Sequence, residues 1–371
     1  MTTKLVYTLT CAPDKHYIEQ CLMAVFSARH YNPDATIVLI VDDKTDALFV
    51  GKRAELLNYI TEKIVVPFED ESLSPMYRSR WLKTSVRRLV DGDILFVDCD
   101  TICHKSLAEI DNFDCELAMV PDEHLPVEEY HYRLKLYLQS NSKKLDFDVL
   151  NEKYYYNSGV IYAKDTLNVR TFWEHWHKEW LGGEKKGVKV DQTSLCKAGI
   201  LFKMQVSKLP DIWNTMVYMS PSFVKEAKIL HFWQFRNRSF MYCEPFLNYV
   251  EKHGVDRYVK EWVLNPLESM LPSNNVFYQD SWSIKISYIK QISYNLILYQ
   301  KLVDRTFKDF PWKSHVEKED DMFLKKGLFN AFEIKLLTMG FFKTLSVLYV
   351  IKRIILLFIK RADNTKYVYF T

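Results

Sequence analysis

The stretch that most constrains this chain is Asp93-Ile94-Leu95-Phe96-Val97-Asp98-Cys99-Asp100-Thr101, an apolar run that ends in two carboxylates one residue apart. Leu95, Phe96 and Val97 read as a short strand buried on both faces, the style of an α/β sheet. Open α/β sheets bind their ligands at the carboxyl ends of strands, which is where the two aspartates fall. In an extended segment residues i and i+2 face the same way, so Asp98 and Asp100 can reach one cation and any phosphate it carries. Read alone, the tripeptide is equally an Asp-rich turn after a strand.

The flanking pattern supports the sheet. Lys4 to Leu9 predicts a first strand, and Ile18, Cys21, Leu22, Val25 and Phe26 recur at helical spacing until Asn32-Pro33-Asp34 breaks the chain. Ala35 to Val41 predicts a second strand, Ala47 to Tyr59 a helix and Lys63 to Pro67 a third strand. Tyr77 to Leu89 predicts the helix that leads through Asp91-Gly92-Asp93 into the carboxylate motif. Glu116 to Val120 and Tyr156 to Tyr162 read as later strands. Between and after them, Asp165 or Thr166 caps a helix with an apolar face of Leu167, Val169, Phe172, Trp173, Trp176 and Trp180, closed by Gly182-Gly183. His175 and His177 on that helix point away from each other and are expected at the surface or rim. Strands alternating with helices predict a mainly parallel sheet with helices on both faces, ending near Ile229-Leu230-His231-Phe232-Trp233. The expected organisation is a catalytic α/β domain over 1–245, a helical region over 246–330 containing a solvated charge run at 317–321, and a distinct tail over 331–371.

At 371 residues and 48% hydrophobic content the chain can bury a large core, and it is not disordered. Seven cysteines, an odd number with no CxxC pair, do not form a secreted disulfide framework and fit a reducing compartment. The N-terminus offers too short an apolar run for a signal peptide. The net charge is +3, of which residues 331–371 contribute +5, leaving −2 for residues 1–330. That asymmetry argues against general nucleic-acid binding and for one electrostatic role at the C-terminus.

A diphosphate leaving group needs its charge stabilised, and a divalent cation on two carboxylates does this without a proton. His231 could add a third ligand, and an imidazole in the shell favours Mn²⁺ somewhat over Mg²⁺. A histidine beside Phe232 and Trp233 is, by itself, as readily a core residue.

The ordered set Ser79-Arg80-Trp81-Leu82-Lys83, Phe96-Val97-Asp98-Cys99-Asp100, Tyr156-Asn157-Ser158-Gly159-Val160, Asp191-Gln192 and Leu230-His231-Phe232 resembles the metal-dependent GT-A fold glycosyltransferases, and family 8 in particular, over roughly residues 3 to 237. The resemblance implies a metal-dependent hexosyltransferase that uses a nucleotide-diphosphate sugar, expected to be a UDP-sugar, and retains the anomeric configuration. It implies Asp98, Asp100 and His231 as metal ligands, and Thr8 and Thr10 on the first strand beside the nucleotide. Arg80 and Lys83 would meet the donor's phosphates or sugar. Asn157, Ser158 and Gly159 would contact the donor sugar, Asp191 would hold its hydroxyls, and Gln192 would lie on the face opposite the leaving group. Asp122 falls where the family places an acceptor-side carboxylate. Two departures stand out. Thr8-Leu9-Thr10-Cys11-Ala12-Pro13 replaces the family's usual Asp pair, and Trp233-Gln234-Phe235-Arg236 replaces the Gly and Lys-Pro-Trp after the histidine, so that Arg236 would take the lysine's place on the diphosphate. A related nucleotidyltransferase would carry a Gly-rich phosphate loop after the first strand, and Thr8 to Pro13 has no glycine.

The tail has no run of about 20 largely apolar residues and so cannot span a bilayer. Placed on a helix, Lys335, Lys343, Arg353, Lys360 and Arg361 form one basic stripe beside a broad apolar surface, with Lys352 outside it. That pattern suits a helix lying against anionic lipid, with the enzyme expected in the cytoplasm at the inner face of the membrane; the family resemblance then implies a saccharide or lipid-linked saccharide acceptor. A core helix packed on the body or an oligomer contact is the alternative reading of the tail, and a catalytically inactive membrane-bound scaffold that kept the fold is the alternative to an enzyme.

Overall fold

A computed structural model describes residues 1–130, 132–216, 226–232 and 244–266, all within one compact unit, Met1–Phe310. Arg236, the charge run at 317–321 and the tail lie outside the described residues.

The chain opens with β1 (Lys4–Leu9), α1 (Tyr17–Tyr31), β2 (Ile37–Asp42), α2 (Asp43–Asp46), β3 (Glu62–Val66), α3 (Pro75–Thr84), α4 (Val86–Leu89) and β4 (Ile94–Val97). It continues through β5 (Thr101–Cys103), β6 (Leu117–Pro121), α5 (Tyr132–Lys144), β7 (Tyr156–Ala163), α6 (Leu167–Lys185), α7 (Asp191–Phe202), β8 (Ser207–Lys208), β9 (Thr215–Met216), β10 (Ile229–His231), α8 (Glu244–His253) and α9 (Arg257–Leu264). The main sheet has the order β3-β2-β1-β4-β7-β6-β8. The β3-β2-β1-β4 half is parallel, and β7 alone opposes its neighbours, pairing antiparallel with both β4 and β6. A second sheet, β5-β10-β9, stands at the carboxyl end of β4.

Strand periodicity sorts the core into two layers. Leu5, Tyr7 and Leu9 of β1, with Leu95 and Val97 of β4, pack with α1, α8 and α9, whereas Val6, Ile94 and Phe96 pack with α3, α6 and α7. Leu95, Phe96 and Val97 are at most 2% exposed, each burial stabilising by roughly 1.5–3 kcal/mol. The core thus fixes the end of β4, from which the two aspartates project.

Several elements differ from the sequence expectation for identifiable reasons. In place of the helix expected over 47–59 the chain forms the short α2 just before it and then a 3₁₀ helix, Gly51–Asn58. The Asp42 carboxylate accepts from Thr45 N at 2.9 Å and starts the first turn early, and Gly51 at φ 56° then breaks the path. The helix expected over 77–89 starts at Pro75, capped by Ser74, and is interrupted at Ser85. Helix α6 runs through Gly182-Gly183 to Lys185, and the left-handed turn comes at Gly187, φ 76°. Helices α5 and α7 and strands β5, β8 and β9 were not legible as such. Among the described residues no helix is long and apolar enough to cross a membrane.

His177 corrects the expectation of two surface histidines: His175 is exposed, but His177 is buried against α3. Its Nδ1 lies 2.7 Å from Thr84 Oγ1 and its ring meets Trp81 edge-on at 5.6 Å. Burial, with a contribution from Arg88, lowers its pKa to about 4.

Candidate active site

Topology explains why residues over 130 positions apart meet. Strand β10 runs antiparallel to β5 with His231 opposite Thr101, directly after the carboxylate pair. Backbone bonds lock the join: Asp98 N donates to Gly159 O at 2.8 Å, and Phe232 N donates to Asp100 O at 2.9 Å. Ligand atoms of Asp98, Asp100 and His231 consequently lie within 4.8 Å of one another, with His231 Nε2 3.2 Å from Asp100 Oδ1. His231 is buried, its Nδ1 is 2.8 Å from Asn214 Oδ1, and its Nε2 has no hydrogen-bond partner among the described residues. Two carboxylate oxygens and a bare ring nitrogen form a donor set that fits a hard or borderline divalent cation. A second acidic group, His16, Glu19 and Glu251, is instead spanned by Arg53, 2.7 Å from Glu19 and 3.1 Å from Glu251.

Helix α3 supplies two cations on one face. Lys83 Nζ lies 3.0 Å from both oxygens of Asp98 and 3.4 Å from Asp191, with the Phe96 ring centroid at 5.1 Å. Arg80 Nε forms an ion pair with Asp191 Oδ1 at 2.8 Å, and Ser158 Oγ donates to Asp191 Oδ2 at 2.8 Å. Burial alone would raise the Asp191 carboxyl, but Lys83 and Arg80 outweigh it and hold its pKa at about 2. At Asp98 burial prevails over Lys83 and pushes the carboxyl up, with Asp100 adding to it.

Asp191 and Gln192 begin α7. Gln192 Oε1 accepts weakly from Ser158 N at 3.5 Å, and its amide also bonds the Asp122 carboxylate. Asn157 Nδ2 donates to Asp122 Oδ1 at 2.9 Å. Asp122 is buried, which raises its carboxyl, and it opens a strained turn with Glu123 and His124 at φ 57° and 59°. Burial and then the Asp122 charge push Glu123 up to about 8. At Gly159 the backbone passes so close to His231 that an added Cβ would sit 2.3 Å from His231 Cε1.

A cavity of about 300 Å³ opens over this ensemble, lined by Thr8, Thr10, Arg80, Lys83, Asp98 and Asp100 among others. Thr10 Oγ1 is engaged by Pro75 O at 3.0 Å. Every site residue proposed from sequence and lying within the described residues borders this cavity or is linked to it by the contacts above. Sequence reasoning missed Asn214 and Gln20. Asn214 follows a 3₁₀ turn, Asp211–Trp213, with no motif of its own, and Gln20 lies beside Glu19 in the first turns of α1, a helix that also carries Ser27, Arg29 and His30, so nothing local singles it out.

A mostly parallel sheet flanked by helices, with polar and charged side chains gathered at the carboxyl end of β4, is the arrangement expected of a GT-A glycosyltransferase. The family is specific: residues 8–235 match the model of glycosyl transferase family 8, and the chain belongs to that family. Solved structures similar to it include apo mouse xyloside xylosyltransferase 1, at 12% identity and TM-score 0.39, covering 62% of this chain and 97% of that one. The galactosyltransferase LgtC, in complex with donor and acceptor sugar analogues, is similar at 16% identity and TM-score 0.40, covering 62% of this chain and 87% of that one. Comparison with curated proteins finds no match. As a family 8 glycosyltransferase the chain is an enzyme acting on a nucleotide-sugar donor and a saccharide acceptor, and such enzymes generally use a divalent metal.

Proposed function

We propose that the enzyme transfers a hexose, with retention, from a UDP-sugar to a saccharide or lipid-linked saccharide, using Mn²⁺ or Mg²⁺ held by Asp98, Asp100 and His231. The observation that carries the metal assignment is the bare, buried Nε2 of His231 facing Asp100 at 3.2 Å beside Asp98. Without a cation, that arrangement opposes a ring nitrogen and a carboxylate in a low-dielectric site. When bound, the cation supplies charge stabilisation for the departing diphosphate.

The chain's own residues do the rest. Arg80 and Lys83 present guanidinium and ammonium donors to the phosphates, while their bonds to Asp191 and Asp98 keep both heads at the cavity wall. Asn157, Ser158 and Gly159 line the sugar, Gly159 by its close backbone. Asp191, ionised throughout the physiological range, accepts from sugar hydroxyls. Gln192 is a poor nucleophile, so its carbonyl lies beside an oxocarbenium-like centre and attack comes from the leaving-group face, the diphosphate accepting the acceptor's proton. Asp122, tied to both Asn157 and Gln192, meets the acceptor. We assign the basic segment over 331–371 to the membrane surface.

The test is a screen of nucleotide sugars for Mn²⁺-dependent hydrolysis and transfer. Asp98→Asn and Asp100→Asn should each abolish both metal binding and turnover. Full transfer in excess chelator would overturn the metal-dependent reading.

A further inference from the structure

We infer that Asn214 is a positioning residue that fixes the tautomer of His231 so that Nε2 carries a lone pair toward the metal position; the inference rests on the metal reading above. The assignment does not depend on how the amides are drawn, because it is anchored by a backbone donor. Gly159 N–H can only donate, and its partner is Asn157 Oδ1 at 2.9 Å. The Asn157 atom at that point is therefore oxygen, consistent with its Nδ2 donating to the Asp122 carboxylate at 2.9 Å. The same oxygen lies 2.9 Å from Asn214, whose facing atom must be the donor Nδ2. The other end of Asn214 is then its carbonyl oxygen, 2.8 Å from His231 Nδ1, so Nδ1 must carry the proton. A neutral ring protonated at Nδ1 is bare at Nε2, the atom left without a hydrogen bond and facing Asp100.

The relay is rigid at each step. Asn214 is fully buried, Asn157 is 5% exposed and His231 is 3% exposed. Strand β10 lies between β5 and β9, which immediately follows Asn214, so the amide and imidazole are held by neighbouring backbone. The relay converts the direction of one backbone N–H into the ligand polarity of a side chain 72 residues further on. Outer partners of metal-bound histidines typically change metal affinity by about 10–100-fold when removed.

Two variants of the full-length protein separate positioning from bulk structure. Asn214→Leu removes the acceptor for Nδ1–H at similar volume. Asn214→Asp keeps that acceptor but sets a carboxylate oxygen against Asn157 Oδ1, so it loses stability while preserving the tautomer. Titration with MnCl₂, followed by calorimetry or by the electron paramagnetic resonance signal of free Mn²⁺, should show Asn214→Leu weaker by about 10–100-fold and Asn214→Asp within a few-fold of wild type. ¹⁵N-histidine spectra of the metal-free protein should show one Nδ1-protonated ring in the wild type that is lost in Asn214→Leu and kept in Asn214→Asp. Wild-type protein that binds no Mn²⁺ would sink the metal reading and this inference together. Wild type that binds while Asn214→Leu binds equally well, or two variants that lose affinity only in proportion to their melting temperatures, would sink this inference alone.

Discussion

Gly159→Ala tests how closely the metal position depends on the sheet. The added Cβ would lie 2.3 Å from His231 Cε1, 2.9 Å from His231 Nδ1 and 2.9 Å from Asn157 Oδ1. Carbon atoms in contact prefer about 3.5–4.0 Å, so the imidazole or the strand must move by more than about an ångström. Neither can yield alone. Turning His231 away breaks its 2.8 Å contact with Asn214, and withdrawing β7 breaks the 2.8 Å bond from Asp98 N to Gly159 O that seats the first aspartate. Gly159 does not adopt a left-handed φ, so alanine meets crowding without backbone strain. Overpacking of this kind costs roughly 1–3 kcal/mol, and a domain of this size loses roughly 2–4 °C of melting temperature per kcal/mol. The larger effect is expected on Mn²⁺ affinity, because each route of relief disturbs a ligand, by the 10–100-fold or so typical of a displaced support. Calorimetric Mn²⁺ titration beside a thermal melt reads both quantities. Gly159→Ala with wild-type Mn²⁺ affinity would refute the argument that this glycine exists to admit His231.

Two further outcomes follow from buried polar side chains. Gln20 is 7% exposed and lines the cavity, so on the proposed reading its amide faces the donor. Gln20→Leu should weaken UDP binding in the presence of Mn²⁺ by roughly 2–10-fold, the worth of about 0.5–1.5 kcal/mol for one neutral hydrogen bond, and an unchanged Kd would remove Gln20 from the nucleotide site. His177 takes up its proton near pH 4 when folded but near 6.5 when unfolded. The unfolded chain therefore binds more protons between these values, and the stabilisation is complete above about 6.5 and lost as pH falls toward 4, by up to about 3 kcal/mol. Urea melts of the wild type should show that slope and His177→Phe should lack it; the same slope in both would assign it elsewhere.

What the sequence made legible follows from where the physics is local. The unbroken apolar run Ile94 to Val97 and the flanking helix period are short-range signals, and they located the sheet and the end of β4 correctly. The carboxylate spacing and the basic pair one turn apart at Arg80 and Lys83 are equally local, and the structure sets all four around one cavity. Tertiary decisions were not legible. Nothing within residues 175–177 shows that α3 would cover one histidine and leave the other in solvent. Antiparallel β7 inside a parallel sheet was likewise invisible, because a buried strand carries no record of its direction. Asn214 was missed for the same reason: its only meaning is the pair of partners, Asn157 and His231, that the fold brings to its two ends.

The remaining step concerns Lys83, which the structure gives two acidic partners and one aromatic one. Its ammonium is 3% exposed and would be costly to bury alone, yet Asp98 at 3.0 Å, Asp191 at 3.4 Å and the Phe96 face at 5.1 Å compensate it. Asp98 is thus shared: in the metal-free chain it neutralises Lys83, and in the proposed loaded state it is also a ligand. Negative charge that Asp98 gave to a cation would be withdrawn from Lys83, whose remaining acidic neighbour is Asp191 at 3.4 Å. Asp191 already faces Arg80 and Ser158 at 2.8 Å each and holds Lys83 only at the longer distance. On the proposed reading a phosphate oxygen of the donor is the further partner of Lys83, which would make metal and donor binding reinforce each other through a single residue rather than through a change of fold.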